Sequence, residues 1–332
     1  MQRITIVGTG LIGGSIGLGL KASKLADIEV VGFDDSPTAL SSARKQGAID
    51  SSARNLDEAV NGARMVIIST PALAARGVMR EIATRLDEGA IVTDTLSTKS
   101  EVMHWARESL PDTVSYVGGH PMAGKATSAG VSESEATLFN GKAYCIVPSP
   151  DASDGAVQSV IGLVNLLGAQ PVFMQADEHD QFVAAVSHLP MVLSYALFSL
   201  ARESTAWPDM RTLASTGFAG ATRLASGDPH MTHDICVTNG EAIIHWIDRF
   251  IEELRHYRGL IADDPGELFK TLAGAQIKRD AFLAGADKPE GEPVDLPSAS
   301  EQMSSILFGS FLTNRYKEYE KRMHDTEERN RR

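Results

Sequence analysis

The sequence predicts an α/β protein in which a doubly wound parallel sheet is followed by an all-α domain, and three observations carry that prediction. Short β-branched runs alternate with amphipathic helical segments through the first 175 residues. A glycine-rich turn joins the first run to the first helix. Long helical periodicity replaces the short runs from about residue 176. The chain of 332 residues is 43% hydrophobic and 22% charged, a globular composition with a sizeable core, which excludes disordered, collagen-like and coiled-coil classes. At roughly 150 residues per domain, its length allows about two domains.

Ile4 to Val7 is β-branched and meets Gly8, after which Leu11, Ile12, Ile16 and Leu20 recur at helical spacing as far as Lys21. A second strand is expected at Ile28 to Phe33, then a helix after Pro37, a strand at Met65 to Ser69, a helix from Pro71 to about Leu86 and a strand at Ile91 to Thr93. Runs at Val114 to Val117, Ala143 to Val147 and Pro171 to Phe173 extend the sheet, with a helix from about Ala156 to Leu167 between the last two. Helical segments follow at 176 to 204, 208 to 226, 229 to 261 and 265 to 284. The Pro-, Gly- and Asp-rich stretch 285 to 300 reads as a linker. Ile306, Leu307, Phe311, Leu312, Tyr316 and Tyr319 beyond it suggest one amphipathic helix, running into a solvated, mixed-charge end.

Lys and Arg number 31 against 43 Asp and Glu, a net charge of −12. Such a surface repels phosphate backbones and anionic headgroups, so neither nucleic acid nor a membrane is an expected partner. An anionic substrate would need a cation inside its pocket. Cys145 and Cys236 form neither a CxxC pair nor a ligand set with a histidine pair, so no disulfide framework and no metal site is expected, and a reducing cytoplasm fits. The apolar run from Ile4 to Leu20 imitates a signal peptide, but its six glycines and the lack of an A-x-A site before Lys21 mark it as folded structure.

Gly8-Thr9-Gly10-Leu11-Ile12-Gly13 fits G-x-G-x-x-G between a strand and a helix. There the glycines permit a tight turn, close approach of backbone to a pyrophosphate, and close helix-to-strand packing. Asp34 ends the second strand, 21 residues past Gly13, where a carboxylate can accept from the adenosine ribose hydroxyls. Together these features predict a Rossmann-type site in which Gly8, Gly10, Leu11, Ile12, Gly13 and Asp34, with Ser69 and Thr70 at the end of a later strand, contact a dinucleotide. The acidic Asp34-Asp35-Ser36, with no Arg immediately after, favours NAD over NADP. A structural glycine turn in another α/β protein is the competing reading.

Three further residues are candidates for chemistry. His120, in Gly118-Gly119-His120-Pro121-Met122-Ala123-Gly124, follows a predicted strand end, where doubly wound sheets place ligands. A neutral imidazole there can accept a proton from a hydroxyl, or merely bond a loop; the surrounding glycines and proline favour the functional reading. His188 lies in a helical run that Pro190 should kink. It shares a face with Ser187, Met191 and Ser194, which taken alone reads as a polar stripe satisfied at a helix or subunit interface. Arg223 is the candidate cation, suited to a bidentate carboxylate, with a salt bridge to Asp228 as the alternative.

Gly8 to Gly14, Asp94-Thr95-Leu96-Ser97-Thr98-Lys99, Gly119 to Gly124, Ser187-His188-Leu189-Pro190 and Thr222-Arg223 through Pro229 occur in the order found in the prephenate/arogenate dehydrogenase family, which the chain resembles over about residues 1 to 285. The resemblance implies NAD-dependent oxidative decarboxylation of prephenate to 4-hydroxyphenylpyruvate in tyrosine biosynthesis, by a homodimer joined through the helical domain. It implies that His120 accepts the hydrogen bond of the substrate's C4 hydroxyl, that Ser97 helps orient that group, that Arg223 holds the ring carboxylate and that His188 belongs to the substrate site. Neither a metal nor a covalent nucleophile is required. The implied organisation is a dinucleotide-binding domain over 1–175, a helical substrate and dimerisation domain over 176–285, and a linker with a C-terminal helix over 286–332. Lys125 and Ala126 stand where many members have Thr and Glu, Met191 where many have a second His, and Ala219-Gly220 where an Arg-Asp pair is usual. Members that use L-arogenate tend to lack the same glutamate and histidine, which makes arogenate the alternative substrate. A non-catalytic NAD-binding regulator would not need His120, Ser97 and Arg223 together, and a β-hydroxyacid or imine reductase would usually place a Lys acid on a helix.

Overall fold

In the computed structural model, which describes residues 2–23, 28–125 and 130–285, the first half alternates strand and helix; the expected linker and C-terminal helix of 286–332 lie outside the described residues. The elements are β1 (Gln2–Val7), α1 (Leu11–Ala22), β2 (Ile28–Phe33), α2 (Pro37–Lys45), β3 (Ser51–Ser52), α3 (Leu56–Val60), β4 (Ala63–Ile68), α4 (Ala72–Ile82), β5 (Ile91–Asp94), α5 (Ser100–Ser109) and β6 (Ser115–Pro121). They are followed by β7 (Ala143–Pro148), α6 (Asp154–Leu166) and β8 (Gln170–Phe173). All eight strands form one sheet in the order β3-β2-β1-β4-β5-β6-β7-β8. The order reverses between β1 and β4, which opens a crevice at the carboxyl ends of those strands. Helices cover both faces. Ile6, Ile16, Phe139, Val160 and Leu163 lie in one core layer, and Val66, Ile68, Met79, Ile82, Val102 and Trp105 in the other. Burial on both faces explains why β4 carries the continuous apolar run Met65–Ile68.

Two details depart from expectation. The sheet is parallel from β1 to β6, but β7 runs antiparallel to β6, with His120 opposite Cys145 and Pro121 opposite Tyr144. A parallel return needs a crossover, usually helical, and the described part of the β6–β7 connection holds only a short 3₁₀ turn at Val131–Glu133. β6 also extends past Val117 through the two glycines, so His120 lies within the strand rather than after it. Gly118-Gly119 resembles a loop in sequence, yet a Cβ on Gly119 would sit 2.4 Å from the Asp94 carbonyl oxygen. The glycine is there because neighbouring backbone passes too close for a side chain.

The second half is helical: α7 (Ala176–Val183), a π-helical turn at Ala184–His188, α8 (Leu189–Arg202), α9 (Trp207–Leu213), α10 (Thr216–Ala221), a 3₁₀ turn at Arg223–Ser226, α11 (Pro229–Thr238), α12 (Gly240–Asp263) and α13 (Pro265–Leu283). Pro190 directly follows a π turn, which takes up the irregularity that its missing N–H imposes on the helix. The segment expected at 229 to 261 breaks at Asn239, which leaves helical geometry at φ −131°. Ala176–Arg202 is long and apolar enough to cross a membrane by length and composition, a test that core helices of soluble proteins also pass. Its buried His179, Asp180 and His188 are instead hydrogen-bonded within the protein. The helical core is small, built on Ala184, Met191, Ile235, Ala242 and Ile243, while Val186, Leu213, Phe269 and Ile277 are at least 70% exposed in the single chain.

Candidate active site

The glycine turn has the geometry of a dinucleotide cradle. Gly8 takes φ +92°, and a Cβ there would meet the Ser69 carbonyl oxygen at 2.4 Å, so β1 can turn beneath the end of β4 only with glycine. A Cβ on Gly13 would lie 2.0 Å from the Gly8 carbonyl oxygen, which is the close packing of α1 on the turn. Gly10 faces open space, with nothing within 4 Å of its Cβ position. No side chain caps α1, so the backbone N–H groups behind Gly10, including those of Leu11 and Ile12, present an uncapped positive helix end. These residues fit a pyrophosphate. Ser69 is held beside them, its hydroxyl 3.0 Å from Thr95 Oγ1, and Thr70 follows it on the same rim.

Asp34 makes contacts within the turn that sequence reading missed. Its Oδ2 accepts from Thr9 N at 2.7 Å and Thr9 Oγ1 at 3.2 Å, and its Oδ1 accepts from Ser36 N at 2.8 Å. A carboxylate offers about four acceptor sites, so Asp34 ties down the glycine turn and keeps capacity for a ribose hydroxyl. It lines an open cleft of about 830 Å³ together with Phe33, Pro37, Arg44, Lys45 and Arg54. The cations come from the end of α2 and from beyond β3, outside the stretch just after Asp34 where sequence reading looks for them.

At the same edge of the sheet, the penultimate residue of β6 is His120, 8% exposed. Its Nδ1 lies 2.8 Å from Nε2 of His179, whose Nδ1 lies 2.8 Å from Asp180 Oδ1. Asp180 also accepts from the backbone N–H groups of Lys99 and Ser100, each at 2.8 Å, and so seats α7 on the N-terminus of α5. Burial pushes the His120 pKa well below the ordinary imidazole value, and neighbouring His179, Lys99 and His188 add to the shift. Burial likewise lowers His179, against the opposing pull of Asp180. For Asp180 burial works upward, but the hydrogen bonds from His179 and Ser100 outweigh it and leave the pKa below the usual range.

The loop carrying Ser97 is pinned at both ends. Lys99 Nζ lies 2.5 Å from Asp94 Oδ1, and both side chains are fully buried. Asp94 also accepts from Tyr116 Oη, Leu96 N at 2.8 Å and Gly119 N at 3.3 Å, which joins the loop to the strand that bears His120. Removing one partner of such a buried pair costs about 3–5 kcal/mol. Ser97 itself is half-buried between these anchors.

His188 meets this cluster from the π turn. Asn239 Nδ2 donates to the Asp180 carbonyl at 2.8 Å and lies 3.2 Å from His188 Nδ1. The carbonyl requires a donor, so the amide orientation is fixed and His188 Nδ1 must accept. Its proton therefore sits on Nε2, which is buried without a partner. Burial lowers the His188 pKa to about 4 against the pull of Asp180.

The structure thus groups His120, His188 and the Ser97 loop, while Arg223 is joined to them by no hydrogen bond. Arg223 is exposed on its 3₁₀ turn and has no ion pair among the described residues. Asp228, its alternative partner from sequence, instead accepts from His230 N at 2.9 Å and caps α11. His179, Asp180 and Asn239 are the members sequence reading missed. The Glu178-His179-Asp180 run looks like the polar face of any helix, and only the fold shows what it meets.

Residues 16–173 match the family model for the prephenate dehydrogenase nucleotide-binding domain, and residues 175–274 that for the prephenate dehydrogenase dimerization domain. The prephenate dehydrogenase of Bacillus subtilis is 32% identical over 85% of this chain and 76% of its own length. The cyclohexadienyl dehydrogenase of Zymomonas mobilis is 30% identical over 80% of this chain and 90% of its own. Among solved structures, the prephenate dehydrogenase of Aquifex aeolicus in complex with hydroxyphenyl propionate and NAD+ is 30% identical and superposes with a TM-score of 0.79, covering 85% of this chain and 98% of that one. The arogenate dehydrogenase of Synechocystis, 24% identical over 85% of this chain and all of its own, shares the fold with a TM-score of 0.71.

Proposed function

The chain belongs to the prephenate dehydrogenase family, and from that membership and the setting of His120 we propose that it catalyses the NAD-dependent oxidative decarboxylation of prephenate to 4-hydroxyphenylpyruvate in tyrosine biosynthesis. One observation carries the reading: a buried neutral imidazole, held from behind through Nδ1, stands on the same rim of the sheet as the glycine cradle. Residues 1–175 bind the dinucleotide through Gly8, Gly10, Leu11, Ile12, Gly13, Asp34, Ser69 and Thr70. Bound there, NAD supplies the acceptor for the hydride that leaves C4 of the substrate. His120 Nε2 accepts the C4 hydroxyl's hydrogen bond and takes its proton as that hydride leaves. Loss of the ring carboxylate as carbon dioxide then returns electrons through the ring to the C4 oxygen, which recovers a proton as the phenol. Ser97, on its pinned loop, orients the hydroxyl, and the buried Nε2–H of His188 donates to a substrate oxygen.

Residues 176–285 form the substrate and dimerisation domain. Arg223 supplies the cation for the ring carboxylate, and a second copy covers the exposed apolar side chains of the helical half, giving a cytoplasmic homodimer with no nucleic-acid or membrane partner. Met191 is packed in the helical core, so no polar group from that position serves the substrate's side chain. That observation favours L-arogenate as a second reading, with tyrosine as the direct product.

The test is NADH formation by the purified protein with NAD or NADP and with prephenate or arogenate. Turnover of neither substrate would overturn the reading in favour of a non-catalytic NAD-binding protein. His120→Asn should lower kcat by roughly 10²- to 10⁴-fold with little change in NAD affinity, the size of a general-base contribution. An Asn variant within a few-fold of the parent would remove His120 from the role.

A further inference from the structure

A neutral imidazole can take a proton only on the ring nitrogen that carries a lone pair, so a histidine base must be held in one tautomer. Here the tautomer follows from the chain of contacts behind His120. Asp180 accepts from the N–H groups of Lys99 and Ser100, as an ionised carboxylate does, and its Oδ1 lies 2.8 Å from His179 Nδ1. His179 must then carry its proton on Nδ1, which leaves a lone pair on Nε2. That lone pair faces His120 Nδ1 at 2.8 Å, so Nδ1 of His120 must be the donor and its Nε2 the acceptor.

We propose that His179 and Asp180 are positioning residues that fix His120 as the Nδ1–H tautomer, with Nε2 as the proton acceptor, and that spread the positive charge His120 gains when it takes the substrate proton. The proton from the C4 hydroxyl ends on His120 Nε2. The charge so formed is shared through Nδ1–H to His179, whose own Nδ1–H is anchored on the Asp180 carboxylate. The other titratable groups around His120 cannot do this. Lys99 is a cation already paired with Asp94, His188 faces it as a further imidazole from the π turn, and Cys145 and Tyr144 lie opposite on β7 as neutral groups whose pKa values burial pushes up. Among the described residues, Asp180 is the carboxylate that ends the chain of bonds from His120.

The catalytic part rests on the proposed reaction, but the tautomer belongs to the free protein, so the two can be separated. The full-length protein labelled with ¹⁵N-histidine is to be examined without substrate by two-bond ¹H–¹⁵N correlation spectra, with His120→Asn to assign the ring. At neutral pH His120 should show a protonated Nδ1 and a pyridine-type Nε2. In His179→Phe and Asp180→Asn that signature should give way to a mixture of tautomers. kcat should fall about 10- to 100-fold while KM changes less than about threefold, as expected when part of a general-base contribution is lost. His179→Gln, whose amide oxygen can still accept from Nδ1, should retain the tautomer and more of kcat than His179→Phe. Variants are to be matched for Tm and NAD binding. A protonated Nε2 on His120 in the parent protein overturns the proposal whether or not the variants fold, and so does an unchanged tautomer and kcat in His179→Phe. Absence of prephenate turnover with the Nδ1–H tautomer in place would count against the assigned reaction and leave the positioning role standing.

Discussion

His120 is held neutral by burial and by the groups around it, so its working range is set by how far its pKa lies below the free imidazole value of about 6.5. In the proposed reaction a protonated ring cannot accept the substrate proton. kcat/KM should therefore stay level as pH falls from 8 to 6.5 and decline only below that, and a pH–rate profile with its acidic limb centred at or above 6.5 would contradict the burial argument. Arg223 behaves differently because it has no ion pair to lose among the described residues. Arg223→Ala should leave Tm nearly unchanged yet raise KM at least about tenfold, since truncating one partner of a charge-assisted pair costs about 2–5 kcal/mol. Lys should rescue poorly, being a point charge without the planar fork. Steady-state kinetics on both substrates checks this; an unchanged KM would mean that another group holds the carboxylate.

At the scale of elements, the glycine turn separates folding from binding. Gly10 has φ −67° and open space at its Cβ position, so Gly10→Ala should keep the parent Tm while weakening NAD binding by occupying the approach of the pyrophosphate. Gly13→Ala meets the Gly8 carbonyl and should lower Tm, overpacking of this kind costing about 1–3 kcal/mol. Calorimetric titration with NAD and thermal melts distinguish the two; equal Tm losses would refute the assignment. This turn was legible in sequence because its glycines, its strand and its helix are adjacent along the chain. The direction of β7 was not, since it depends on what connects it to β6. Nor was the His120–His179 contact, which joins residues 59 apart, or the His188–Asn239 contact, which joins residues 51 apart. Local pattern locates elements, but contacts of that span exist only once the helical half has docked on the sheet.

For the whole molecule, the buried histidines tie stability to pH. The pKa values of His120, His179 and His188 are all lowered in the folded chain, that of His188 to about 4. Between about pH 6.5 and 4 the unfolded chain therefore binds more protons than the folded one, and stability is lost as pH falls through that window. From His188 alone the loss is on the order of 3 kcal/mol by pH 4, and Asp180, also lowered, adds a loss of the same sign at lower pH. Tm measured from pH 7.5 down to 5 should fall; a flat profile would show that these rings are hydrated. The same buried bonds bear on how such a chain can be recombined. The sheet ends at Phe173, an inviting place for a crossover between related genes, yet Asp180 holds Lys99 and Ser100, Thr98 bonds Thr238 at 2.9 Å, and Leu73 N donates to Asp234 at 3.0 Å. A chimera spliced there would inherit the glycine turn intact but receive the partners of His120 from another parent. Cofactor affinity would travel with the first half alone, whereas turnover would require that both halves share an ancestry.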